Sequence, residues 1–107
     1  MPFDFSPTET NTVADTLRRA RALIDTPEKW CQNEHQIGHA YCVEAALNIV
    51  WRGDVLGSIF DSCPAWKLLQ DATGVQKLFD WNDAPERTHA EVLAAFDKAI
   101  ALAESGA

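Results

Sequence analysis

The last quarter of the chain restricts the fold more than any other stretch. In "THAEVLAAFDKAIALAE" (residues 88–104), Val92, Phe96, Ala99, Ile100 and Ala103 recur at helical spacing and make one apolar stripe. Thr88 and, three residues on, Glu91 stand just ahead of it as a capping box, each side chain placed to satisfy a terminal N–H of the other. A long amphipathic helix is therefore predicted from about His89 to Glu104, and the remaining elements must cover its stripe.

Similar punctuation recurs upstream. Ser6, Pro7 and Glu9 give a cap, a proline at the first helical position and a returning carboxylate. Val13, Leu17, Ala20 and Ile24 follow on one face, and Asp25-Thr26-Pro27 stops the helix. Asn33 and Gln36 offer another capping box, and His39 to Trp51 reads as a largely buried helix ended at Arg52-Gly53. Short helices are expected from Asp54 through Phe60, from Pro64 to Gly74, and as one further turn over 75–80. No segment alternates with period two over a strand's length, and there is no Asn-Gly or Asp-Gly hairpin turn. The prediction is an all-α single domain over residues 1–107: a compact bundle of about five or six unequal helices, with residues 1–5 as an N-terminal arm.

The 107 residues suffice for one core, since a domain of this size buries roughly two-thirds of its unfolded surface. Nine basic against 16 acidic residues leave a net charge of −7, which argues against direct nucleic-acid binding. An acidic surface suits instead a soluble protein, or one that docks on a basic partner surface. Arg18, Arg19 and Arg21 share their helix with Glu9 and Asp15 and read as a solvated face. Cys31, Cys42 and Cys63 are odd in number and never C-x-x-C, so reduced thiols and a cytoplasmic location are expected. The opening "MPFDFSPTE" has neither a basic nor an apolar leader region, and no run is long enough for a membrane span.

The stretch "WNDAPERTHAE" (81–91) has two readings. Pro85 bars a continuous helix and Asn82 or Asp83 can tighten a turn on its own backbone, which makes the segment the punctuation before the last helix. Alternatively an indole, an amide and a carboxylate lie together near His89 in a contacting loop. The segment resembles the C-terminal signature of a family of small bacterial and phage proteins of unknown function: Trp-Asn-Asp, a proline, Thr-x-x-Glu-Val, then an aliphatic Asp-x-Ala-Ile helix. "TPEKWC" (26–31) and "YCVEAAL" (41–47) are similar to two further family segments, with Ala45 standing at the usual glycine. The resemblance places Trp30, Cys42, Trp81, Asn82, Asp83, Thr88 and Glu91 in the family pattern and implies no activity or catalytic residue.

Three chemistries remain to weigh. "HQIGH" (35–39) sets two histidines at the spacing of a helical metal site, but Gln36 replaces the glutamate that a metalloprotease uses as general base. His35 and His39, with Cys31, Cys42, Glu44 or His89 as further ligands, are thus only weak metal candidates; no metal and no cofactor is expected. A cysteine nucleophile needs an imidazole within about 2.6–3.2 Å, and Cys31 or Cys42 with His35, His39 or His89 and with Asp83 or Asn82 supplies the types without a spacing that shows convergence. Of the four tryptophans, Trp66 at a helix start and Trp81 in the loop are the candidates for exposure. The expectation is a non-catalytic, acidic helical module that binds a protein partner or itself. One version is a phage or mobile-element inhibitor of a basic nucleic-acid-binding target. Its candidate binding residues are Trp66, Trp81, Asn82, Asp83 and His89. The alternative is a small cysteine/histidine enzyme or metal-binding domain.

Overall fold

The computed structural model describes residues 12–52 and 63–106. Five α-helices carry these residues: α1 (Thr12–Leu23), α2 (Val43–Arg52), α3 (Pro64–Thr73), α4 (Leu78–Asp83) and α5 (His89–Gly106). A 3₁₀ turn (Pro27–Lys29) and two very short strands, β1 (Gln36–Ile37) and β2 (Ala40–Tyr41), lie between α1 and α2. The all-α expectation holds. The N-terminal arm, the Ser6–Glu9 cap and the helix expected over 54–60 fall outside the described residues.

The apolar stripes meet as helix packing requires. α1 lies against α2 and α5, α3 against α5 and α1, and the short α4 against α2 and α3. Leu17, Ala20 and Ile24 of the first segment face Val43, Ala46 and Leu47 of α2, together with Trp66 and Leu69 of α3, in one buried cluster with Val92, Phe96 and Ala99 of α5. Arg18 pairs with Glu104, and Arg21 with Asp97 at 2.8 Å, so the arginine face of α1 is solvated and stitched to α5. Such exposed pairs contribute little, about 0–1 kcal/mol each; the apolar cluster holds the bundle. No helix among the described residues is long and apolar enough to cross a membrane.

The signals around α3 and α5 work as read, while Gly53, the stop expected after α2, lies outside the described residues. α3 starts at Pro64 and ends at Gly74, whose φ of 76° lets its N–H reach the Gln70 carbonyl at 2.8 Å. α5 opens on the capping box: Thr88 N–H donates to Glu91 Oε1 at 2.9 Å and Glu91 N–H to Thr88 Oγ1 at 3.2 Å.

Three expectations are corrected. The buried helix expected from His39 begins only at Val43, because residues 36–41 form a tight antiparallel hairpin with Gln36 opposite Tyr41 and Ile37 opposite Ala40. Gly38 turns it with φ +59°, and Asn33 is left-handed at φ +69°, so the Asn33–Gln36 capping box does not form. Gln36 instead donates its amide to the Gly38 carbonyl at 2.8 Å. The residue just before α2 is Cys42, whose sulfur accepts the Ala45 N–H at 3.3 Å. Second, Trp81 lies within α4 rather than in a loop. Third, Trp66 is 2% exposed: it is part of the buried apolar cluster instead of facing solvent.

Candidate functional site: the Asn82 junction and the neighbouring cleft

Asn82 stands at the end of α4 with no solvent exposure. Its Oδ1 accepts the Trp30 indole N–H at 2.7 Å and the Val43 N–H at 3.1 Å. Its Nδ2 donates to the Cys31 carbonyl at 3.0 Å and to Asp83 Oδ1 at 2.9 Å. A primary amide offers two donor hydrogens and two acceptor lone pairs, and here all four are satisfied inside the protein. Val43 is the first residue of α2, so its N–H is one of the orphan donors that every helix start must place. One side chain therefore joins α4, the Trp30–Cys31 segment and the beginning of α2.

The residues around it extend the same junction. Asp83 also accepts the Asn33 N–H at 2.7 Å, which holds that residue in its left-handed conformation. Gln32 donates to the Asn82 carbonyl at 2.9 Å and the Ala84 carbonyl at 2.8 Å, closing the C-terminal end of α4. The half-buried Trp81 ring carries the Arg87 guanidinium 4.2 Å from its centre, and Arg87 Nε donates to the Trp81 carbonyl at 3.0 Å. His89 Nε2 lies 2.7 Å from the Ile24 carbonyl, which assigns the ring proton to Nε2 and caps the end of α1. Trp81, Asn82, Asp83 and His89 thus converge at one end of the molecule, with the polar groups named above already partnered, whereas Trp66 is in the core.

The cysteines and histidines distribute differently. Cys31 is buried and its thiol points at the Glu34 and Ala40 carbonyls, 3.4 and 3.6 Å away. Burial pushes its pKa up, as it does for Cys63 ahead of Pro64. Cys42 does meet an imidazole, with Sγ 3.7 Å from His35 Nδ1. Desolvation nevertheless pushes the Cys42 thiol up to about 12, overriding the backbone N–H groups of Ala45 and Glu44 that favour a thiolate. His35 and His39 are separated by the hairpin, not by a helical turn, so the i, i+4 geometry of a metal pair is absent. Among the described residues no group of three or more His, Cys, Asp or Glu could hold a metal ion.

Beside the junction lies a cleft of about 270 Å³, lined by Glu44, Trp66, Lys77, Leu78, Phe79 and Asp80. Glu44 is half-buried in the first turn of α2, and desolvation raises its pKa, with His35 opposing and Asp83 adding to the shift. The His35 ring sits 5.0 Å from that of Phe79. Sequence reasoning gave Glu44 only as a spare metal ligand and left Lys77, Phe79 and Asp80 without a role. The one local signal is a carboxylate between two buried positions, Val43 and Ala45. A broader depression at the end of α3, about 750 Å³, contains Lys67, Asp71 and Gly74 but neither an aromatic wall nor a half-buried carboxylate.

The junction has a direct test. Asn82→Ala leaves the Trp30 indole and the Val43 N–H without their acceptor, and the expected loss of stability is about 3 kcal/mol in urea or thermal unfolding. A loss below about 1 kcal/mol would mean that water replaces the amide at no cost and that the junction is peripheral.

No curated protein and no solved structure matches the chain. The pattern of one family does match, over residues 8–102, a span that contains α1 to α4, the Asn82 junction, the cleft and most of α5. The chain belongs to the family of unknown function DUF6197.

Proposed function

We propose that the chain is a non-catalytic binding module that offers one acidic end to a basic protein partner. The observation that carries this reading is where the uncompensated charge lies. Asp15, Asp25, Asp71, Glu91, Asp97 and Glu104 are each in an ion pair along the helices or at their ends. Among the described residues, Glu28, Glu34, Glu44, Asp80, Asp83 and Glu86 are in none, and all fall in the segments 28–44 and 80–86 that Asn82 joins. Ile37, 54% exposed on the hairpin of the same end, adds an apolar contact inside a charged surround. A field of one sign on one end accelerates encounter with an oppositely charged surface and excludes acidic ones. An inhibitor from a phage or mobile element, covering the basic nucleic-acid site of its target, is one concrete form of this reading. Self-association, the other form of a binding module, would have to use a different face, because two copies of the acidic end repel.

The acidic residues farthest from the packing supply the test. Glu28, Glu34 and Glu86 are exposed, so replacing all three by lysine leaves the core intact. Immobilised wild-type chain is expected to retain a partner at low salt and release it as salt rises. The triple variant, with unchanged melting, should bind that partner at least about tenfold more weakly. Equal retention by both, or a wild-type chain that stays monomeric and retains nothing, contradicts the proposal.

A small cysteine/histidine enzyme is the second reading, favoured by the approach of Cys42 to His35. It requires a thiolate at neutral pH, which the buried Cys42, held near a pKa of about 12, does not supply. Thiol-labelling kinetics separate the two readings. The binding module predicts that Cys42 reacts only as fast as the protein opens, whereas rapid labelling of the folded protein at neutral pH would revive the enzyme.

A further inference from the structure

The cleft between α2 and α4 combines features that a diffuse acidic surface does not have. Glu44 is half-buried at its wall and, among the described residues, its carboxylate has no hydrogen-bond or ion-pair partner. Phe79 gives a half-buried ring, Leu78 and Trp66 close the apolar interior, and Asp80 stands exposed at the mouth. Lys77 is the single cation of the lining and is in no ion pair among the described residues, so two carboxylates face one ammonium. The volume, about 270 Å³, falls just below the range of sites for whole small molecules, roughly 300–1,000 Å³, and suits a side chain.

We propose that this cleft receives one arginine side chain of the basic partner, the guanidinium lying on the Phe79 ring and paired with Glu44. The inference rests on the binding reading above and names the group that reading leaves open. A guanidinium is planar, more weakly hydrated than an ammonium and able to stack on an aromatic face while donating two parallel hydrogen bonds to a carboxylate. A lysine ammonium keeps its hydration and has no fork, and Lys77 repels it equally. The half-buried carboxylate next to an aromatic wall therefore selects arginine over lysine, and Asp80 steers it in from solvent. Occupation also gives Glu44 a directly paired counter-charge, where His35 only partly offsets its desolvation.

The probe is the blocked tripeptide acetyl-Gly-Arg-Gly-amide, titrated into the full chain and followed by NMR, with the lysine and citrulline peptides as controls. The arginine peptide is expected to give saturable shifts at Glu44, Leu78 and Phe79 with a Kd of roughly 1–10 mM. The lysine peptide should bind several-fold more weakly and the uncharged citrulline peptide should not saturate. Glu44→Gln, a shape-conserving change, should weaken the arginine peptide about tenfold. Asp80→Asn, on an exposed side chain, should weaken it about twofold to threefold and serves if Glu44→Gln does not fold. Citrulline binding as tightly as arginine, wild-type affinity in both variants, or no saturation below about 50 mM would overturn the assignment. The Glu28/Glu34/Glu86 lysine variant leaves the cleft intact. A partner lost by that variant but held unchanged by Glu44→Gln would remove the arginine subsite and leave the binding module standing.

Discussion

The fold of this chain turns on a single buried amide. Asn82 accepts from an indole on one segment and from the first N–H of α2, and donates to the Cys31 carbonyl and to its neighbour Asp83. The bundle of α1, α2, α3 and α5 is held by apolar burial, which is non-directional and tolerates sliding. The hairpin end has little such cover: Gln36, Ile37, Gly38 and His39 are all exposed. What fixes its position is a directional network of low-dielectric hydrogen bonds, in which an unmet partner costs more than a met one contributes. Asp83 holding Asn33 left-handed and Gln32 closing α4 are consequences of the same placement.

That arrangement explains the role of the Trp-Asn-Asp motif. Trp81 supports the Arg87 guanidinium, Asn82 makes the junction and Asp83 secures the opposite loop. The proline and the Thr88–Glu91 box then end one helix and begin the next. Glu91 is held below the usual carboxylate range mainly by the Thr88 N–H, so its contribution is present above the ordinary carboxylate pKa and fades as pH falls through the lowered one. The polar groups of the motif thus organise the acidic end of the chain. Under the binding function proposed above, the recognition surface is what the motif supports: the hairpin, the carboxylates around it and the cleft beneath α4.

Much of the bundle was legible because its signals are local. Pro64, Gly74, Thr88 and Glu91 act within one turn of themselves, and the stripe of α5 declares its buried face without reference to any partner. The hairpin was illegible for the opposite reason. Asn33 and Gln36 have the spacing of a cap, and only the Asp83 carboxylate, fifty residues away in sequence, commits Asn33 to positive φ. Trp66 looked like a surface anchor because nothing in Cys63-Pro64 tells that α4 will lie against α3. The cleft shares that dependence: Glu44 and Phe79 become neighbours only once Asn82 has drawn α4 onto the start of α2.

Native-state hydrogen exchange tests the central claim, that the hairpin end and the bundle are joined into one cooperative unit through Asn82. The amides to follow are Val43, bonded to Asn82 Oδ1, Cys31, bonded to the Tyr41 carbonyl, and Cys42, bonded to the His35 carbonyl. If the junction governs the structure, these exchange only with global unfolding, at the same free energy as the Phe96 amide in the middle of α5. Exchange of all three through a separate, lower-energy opening, with Phe96 still fully protected, would show that the end moves independently of the bundle and would contradict the account.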